Sequence, residues 1–236
     1  MTSTYRVIFE EFEEELAAIE SLVAASSDPK SSRPRVRVAG ANAALLLLAA
    51  TFEEFVRELA RAYARFVVES CASYDDLPPR LASTAWKRTM DALARLRLNP
   101  KKELFSRESI FSDALTSFTI VHEFCRGNLT KNIYQELIHN ENNMRPQEIN
   151  SLFKISGLNN ICYSVCLDTQ LLDMLNQIEQ GKAHSELVER LEGFFERRNQ
   201  VAHSIAAMRS SGTEQISSDI ELFRRFGYAL YQVLEN

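Results

Sequence analysis

The sequence predicts an all-α, single-domain helical bundle with long antiparallel helices, and three observations carry that prediction. The chain of 236 residues holds only 7 glycines and 6 prolines, too few for the many tight turns of a sandwich or barrel. Apolar residues recur at spacings of three and four along most of its length. Period-two alternation never persists beyond a few residues, and no linker separates two cores, so residues 1–236 read as one domain. Within it, 1–35 form an acidic helix and a loop, 36–210 a core, and 211–236 a last helix.

The elements follow in order. Residues 5–25 place Ile8, Phe9, Phe12, Leu16, Ile19 and Leu22 on one helical face. Residues 26–34, rich in turn formers and broken at Pro29 and Pro34, form a loop. From 36 to 73 the chain is one long helix whose single Gly40 costs roughly 1 kcal/mol. Its first half is apolar nearly all round, which predicts deep burial. Pro78-Pro79 introduces a helix over 80–98, which ends at Asn99-Pro100. Another helix covers 109–126, and 128–145 is polar and poorly periodic. Pro146 suits a first helical turn and Gly157 the position just past a last one, which brackets a short helix at 146–156. Gly181 is expected to close a helix that begins near Thr169. A long helix spans 184–209, and Ser218-Asp219-Ile220-Glu221 has the capping-box pattern that starts a final helix over 219–234.

Hydrophobic residues make up 45% and charged residues 25%, the composition of an ordinary globular protein. A net charge of −5 does not announce a nucleic-acid binder, yet binding depends on local patches rather than on the sum. Glu10, Glu11, Glu13, Glu14, Glu15 and Glu20 face no basic residue across 10–20. Lys87, Arg88, Arg95, Arg97, Lys101 and Lys102 face only Asp91 across 86–102, and Lys30, Arg33, Arg35 and Arg37 form a smaller cluster. Such runs are solvated helix faces or guides for a phosphate backbone, and the sequence leaves both open. Cys71, Cys125, Cys162 and Cys166 lack paired Cys-x-x-Cys spacing, and Cys162 and Cys166 read as buried free thiols. With four scattered histidines, no metal site and no cofactor is expected. The first twenty residues lack a basic n-region, and the most apolar run, 43–52, is far shorter than the roughly 20 residues of a membrane helix. These features predict a cytoplasmic protein that does not contact membranes.

One constellation carries chemistry. Along the helix at 184–209, Leu187, Leu191, Phe194, Val201, Ala202, Ile205 and Met208 form an apolar stripe. Arg198 falls inside it, about 20° from Leu191 and Ile205 and about 40° from Phe194 and Ala202. A guanidinium there must snorkel, find a carboxylate such as Glu192 or Glu221, or line a cleft between subunits, because an unpaired buried charge is costly. Asn199 and His203, four residues apart, share a helix face, where the amide can reach the imidazole. His122, His139 and His184 lack an Arg-Asn partner at matching spacing and read as structural or exposed.

Arg198-Asn199-Gln200-Val201-Ala202-His203, late in an all-α chain, resembles the signature of the HEPN superfamily. The segment 41–68, with Ala50-Thr51-Phe52-Glu53-Glu54-Phe55, is similar to the first long helix of the RiboL-PSP type. Asn140-Glu141-Asn142-Asn143-Met144-Arg145-Pro146, followed by Ile149, Phe153 and Gly157, resembles the middle region of that group. Together these cover 36–210. The resemblance implies a metal-independent endoribonuclease of toxin or antiphage-defence type, with Arg198, Asn199 and His203 as catalytic residues. It implies pairing of two motif copies in a homodimer, RNA as substrate, and an antitoxin or defence-system partner protein. Lys87, Arg88, Arg95 and Arg97 are candidates to hold the RNA. Some HEPN toxins carry a tyrosine, two residues past the motif histidine, that a partner enzyme modifies; Ile205 stands there in this chain. The competing expectation is a non-catalytic helical module that binds RNA or protein in such a system.

Overall fold

The computed structural model describes residues 3–27, 33–96, 104–138, 143–203 and 212–235. It is all-α, and no strand occurs among the described residues. The helices are α1 (Thr4–Ser27), α2 (Pro34–Ser70), α3 (Pro79–Arg95), α4 (Leu104–Cys125), α5 (Tyr134–Leu137), α6 (Pro146–Ile155), α7 (Ile161–Ser164), α8 (Thr169–Met174), α9 (Gln180–His203) and α10 (Thr213–Glu235). Short 3₁₀ turns lie at Tyr74–Asp76 and Val165–Leu167.

These elements group into two compact units. The first draws on Met1–Leu59, Asn142–Ser151 and Asn160–Asn236, and the second on Ala60–Glu141 and Leu152–Asn159. In the first unit Phe12, Leu16, Ile19 and Val23 of α1 are buried at helical spacing with Leu45, Leu48 and Phe52 of α2. Aromatic rings tie the layers: Phe12 stacks on Phe55 at 4.0 Å, and Phe52 stacks on Phe223 of α10 at 4.1 Å. A Cβ on Gly227 would stand 2.9 Å from Phe12 and 3.1 Å from Phe55, so only glycine lets α10 approach this closely. The acidic run of α1 is partly an interface rather than a solvated face, since Arg224 of α10 pairs with Glu13 and Glu20. Cys162 and Cys166 are free and fully buried, and burial pushes their thiols up to about 12 and about 11.

In the second unit Leu81 and Ala85 of α3, Val121 and Phe124 of α4 and Phe153 form the apolar centre. Arg88 donates to the Leu137 carbonyl, and the Arg65 guanidinium lies 5.2 Å over the Tyr134 ring.

Several boundaries depart from the sequence expectation, each for a local reason. The 128–145 stretch is not merely a polar loop, because Ile133, Leu137, Ile138 and Met144 are fully buried and α5 interrupts it. α4 begins five residues before the expected 109, and with apolar residues all round it has no amphipathic onset to mark the start. Gly181 does not close the helix that begins at Thr169. α8 ends at Met174 because Asn176 takes φ 53° in the place a glycine usually fills. The Gln177 amide then donates to the Leu172 carbonyl at 3.0 Å, and Gly181 lies in the first turn of α9. Ser218 likewise starts nothing: α10 begins at Thr213, and Asp219 turns inward. Gly157 does behave as expected, closing α6 at φ 99° with Leu158 N–H on the Phe153 carbonyl.

α2 is also buried on one face only, since Val36 and Leu47 are 57% and 45% exposed. By length and composition alone, Pro34–Ser70 is the one described helix that passes as a membrane span, yet Ala44, Leu45, Leu48 and Phe52 on it lie in the core of the first unit.

Candidate functional site

The sequence motif occupies the last two turns of α9, in the first unit, and neighbouring side chains fix the rotation of that helix. Phe194 and Phe195 are fully buried, Phe194 edge-on to Phe223 at 4.6 Å. Just after them, Arg197 Nη2 donates to both Asp219 carboxylate oxygens, at 2.7 and 2.8 Å. Gln215 Nε2 also donates to Asp219, at 3.1 Å. Burial pushes the Asp219 carboxyl up, and Arg197 and Gln215 oppose that shift. With the preceding residue held in this way, Arg198 is directed about 100° further round the helix.

There Arg198 is half-buried, and its Nη1 donates to Asn199 Oδ1 at 3.2 Å. The same oxygen accepts from Asn143 Nδ2 at 2.9 Å. Asn143 is in turn held by its neighbours: Met144 is fully buried, Arg145 forms an ion pair with Glu192 of α9, and Pro146 opens α6. On the other side lies Glu53 of α2, 9% exposed, whose carboxyl is pushed up by burial against the opposing pull of Arg57 and Arg198. Arg57 donates to Glu53 at 3.3 Å and to Glu54 at 2.9 Å. Arg198 Nε and Glu53 Oε1 are buried without a hydrogen-bond partner among the described residues.

The geometry revises three expectations. Arg198 is not the ion-pair partner of Glu192 or Glu221, because Glu192 takes Arg145 and Glu221 takes Arg224 and Arg225. The Asn199 carbonyl oxygen turns to Arg198 and Asn143, not along the helix to His203. Ala202 is exposed rather than part of the apolar stripe, while Ile205 and Met208 lie outside the described residues. His203 is the last residue of α9 and is exposed. It stands five positions after Arg198, so the two side chains leave the helix about 140° apart and about 7.5 Å along its axis. Within one chain the two side chains are therefore not brought together.

The RNA-binding candidates lie in the second unit. Lys87 and Arg95 are exposed on α3, Arg88 is half-buried against the Leu137 carbonyl, and Arg97 falls outside the described residues. Elsewhere His122 stacks on Phe118 and His184 meets the edge of Tyr163, while His139 lies outside the described residues. Among the described residues, no group of three or more His, Cys, Asp or Glu side chains could hold a metal ion.

A family model described as RiboL-PSP-HEPN matches residues 10–236. The chain belongs to the RiboL-PSP-HEPN family. The match extends beyond the 36–210 over which the sequence resemblance was legible, taking in most of α1 and all of α10. HEPN domains are often nucleases or RNA-binding modules. No curated protein and no solved structure matches the chain.

Sequence reasoning did not single out Asn143, Glu53 or Arg57 as part of the site, although all three belong to the stretches that resemble the RiboL-PSP type. Asn143 carried one usable signal. Pro146 marks the start of α6, so Asn143 stands in the segment that leads into a helix, where short polar side chains commonly anchor neighbouring structure.

Proposed function

We propose that this protein is a metal-independent endoribonuclease of toxin or antiphage-defence type. The observation that carries the reading is the end of α9, where a family member holds Arg198 through Asn199 and Asn143 while His203 stands open to solvent. The RNA 2′-hydroxyl attacks the adjacent phosphorus, the P–O5′ bond breaks, and a 2′,3′-cyclic phosphate and a 5′-hydroxyl result. One His203 takes the 2′-hydroxyl proton, and a second His203 supplies a proton to the departing 5′-oxygen. Arg198 places its guanidinium on the phosphate as charge builds there, and Asn199 fixes the direction of that guanidinium.

The divergence of Arg198 and His203 on one helix supports a homodimer in which two copies of the α9 end share a cleft. Light scattering at tens of micromolar should give twice the chain mass, and a monomer there would remove the second proton donor from this scheme. Bulk transfer RNA and messenger RNA are expected to be cut in excess EDTA, with 5′-hydroxyl ends. A substrate with deoxyribose at the cleavage site should resist completely, since the attacking oxygen is missing. Binding of RNA without cleavage would instead favour the non-catalytic module.

Asn143 is a positioning residue in this scheme. Asn143→Ala is expected to lower kcat by up to about 10²-fold with KM little changed, because a slightly misdirected group still binds but no longer meets the transition state. Equal losses in kcat and in thermal stability would mark Asn143 as merely structural.

A further inference from the structure

Trp86 is the only tryptophan in the chain, and it is 38% exposed on α3. Its ring lies 6.0 Å from Phe118 of α4, tilted by 57°, and Phe118 stacks on His122 at 5.6 Å and 20°. Leu115 and Phe111, one and two turns earlier on the same face of α4, are 65% and 54% exposed. An open strip of this kind marks an interaction surface, since large apolar side chains are seldom left in water together.

Its surroundings indicate the occupant. α3 carries Arg80, Lys87, Arg88 and Arg95 against Asp91 alone. Arg80 and Lys87 are exposed, about 20° apart on α3 and about 100–120° round the helix from Trp86. Arg126, also exposed, follows His122 by one turn, and Glu123 nearby is paired with Lys131. Flat rings together with the exposed cations Arg80, Lys87 and Arg126, which make no ion pair among the described residues, match the two repeating parts of a single strand, the base faces and the phosphates. A duplex keeps its bases stacked inside and could use only the cations.

We propose that the Trp86–Phe118–His122 strip of the second unit is a stacking platform for unpaired bases of single-stranded RNA, with Arg80, Lys87 and Arg126 holding its phosphates. That RNA is the ligand rests on the ribonuclease reading; the location and mode of binding do not follow from it.

The lone tryptophan reports on the platform directly. Titrating the full-length His203→Ala variant with a decauridylate should quench Trp86 emission saturably, while a duplex of the same length should quench it far less. By anisotropy of a labelled decauridylate, Trp86→Ala should weaken binding roughly 5- to 100-fold, and Trp86→Phe should restore most of it. Removing Lys87 or Arg80 should lower the slope of log affinity against log salt by about 0.7 each. Decauridylate binding that leaves the emission unchanged and is indifferent to Trp86→Ala overturns the platform while leaving the ribonuclease reading intact. No binding of any RNA overturns both. Emission that changes with protein concentration alone, together with a lower mass for Trp86→Ala, assigns the strip to contact between copies of the chain and overturns the proposal.

Discussion

Replacing His203 by alanine is expected to slow RNA cleavage by roughly 10²–10⁴-fold, the usual contribution of a single general acid or base. The fold should not notice. His203 is exposed at the end of α9, and exposed substitutions of this kind change stability by no more than about 0.5 kcal/mol. Arg198→Lys is expected to lose most activity too, for a different reason. Lysine keeps the charge but cannot donate to Asn199 and a phosphate from one planar fork. The two variants should separate in binding: His203→Ala retains RNA affinity, whereas Arg198→Lys weakens it along with turnover. Initial rates, product-end analysis and anisotropy on the same RNA decide this. Undiminished cleavage by His203→Ala would end the proposed proton transfers, and the non-catalytic module would then be the better account of the motif.

Helix identity was largely legible because it depends on periodicity, which a sequence displays openly. Pro146 and Gly157 marked α6 correctly, since each residue acts through its own backbone. The misreadings share a cause, namely that a tertiary contact outweighed a local signal. Ser218 to Glu221 has the letters of a cap, but Asp219 is drawn inward by Arg197, a residue 22 positions away. Asn176 ends α8 in a conformation that the sequence offers to any asparagine and commits to none. The site divides in the same way. Arg198 announced itself as a charge on an apolar stripe, a conflict visible in one helix. Asn143 and Glu53 did not, because what places them beside Arg198 is the packing of α2 and the segment before α6 against α9, and neither conflicts with its own local pattern.

That packing can be tested at its centre. Phe52→Ala is expected to destabilise the protein by about 3–5 kcal/mol, the range for truncating a buried aromatic ring. Phe52 is fully buried, stacked on Phe223 at 4.1 Å and 7°, edge-on to Phe226 at 5.6 Å, and 6.3 Å from Phe195. Truncation therefore removes transfer energy, opens a void that three rings cannot refill without leaving their rotamers, and forfeits the ring–ring geometry. A domain stabilised by about 5–15 kcal/mol in total would lose a large share of that margin. Phe66→Ala is the natural control, because that ring is 56% exposed and its loss should stay within about 0.5 kcal/mol. Urea unfolding followed by far-ultraviolet circular dichroism gives both values on the same scale. Since Phe195 and Phe223 also orient the helix that carries Arg198, Phe52→Ala should lose activity below its own unfolding midpoint, whereas Phe66→Ala should not. Equal urea midpoints for the two variants would mean that the aromatic layer between α2, α9 and α10 does not hold the first unit together.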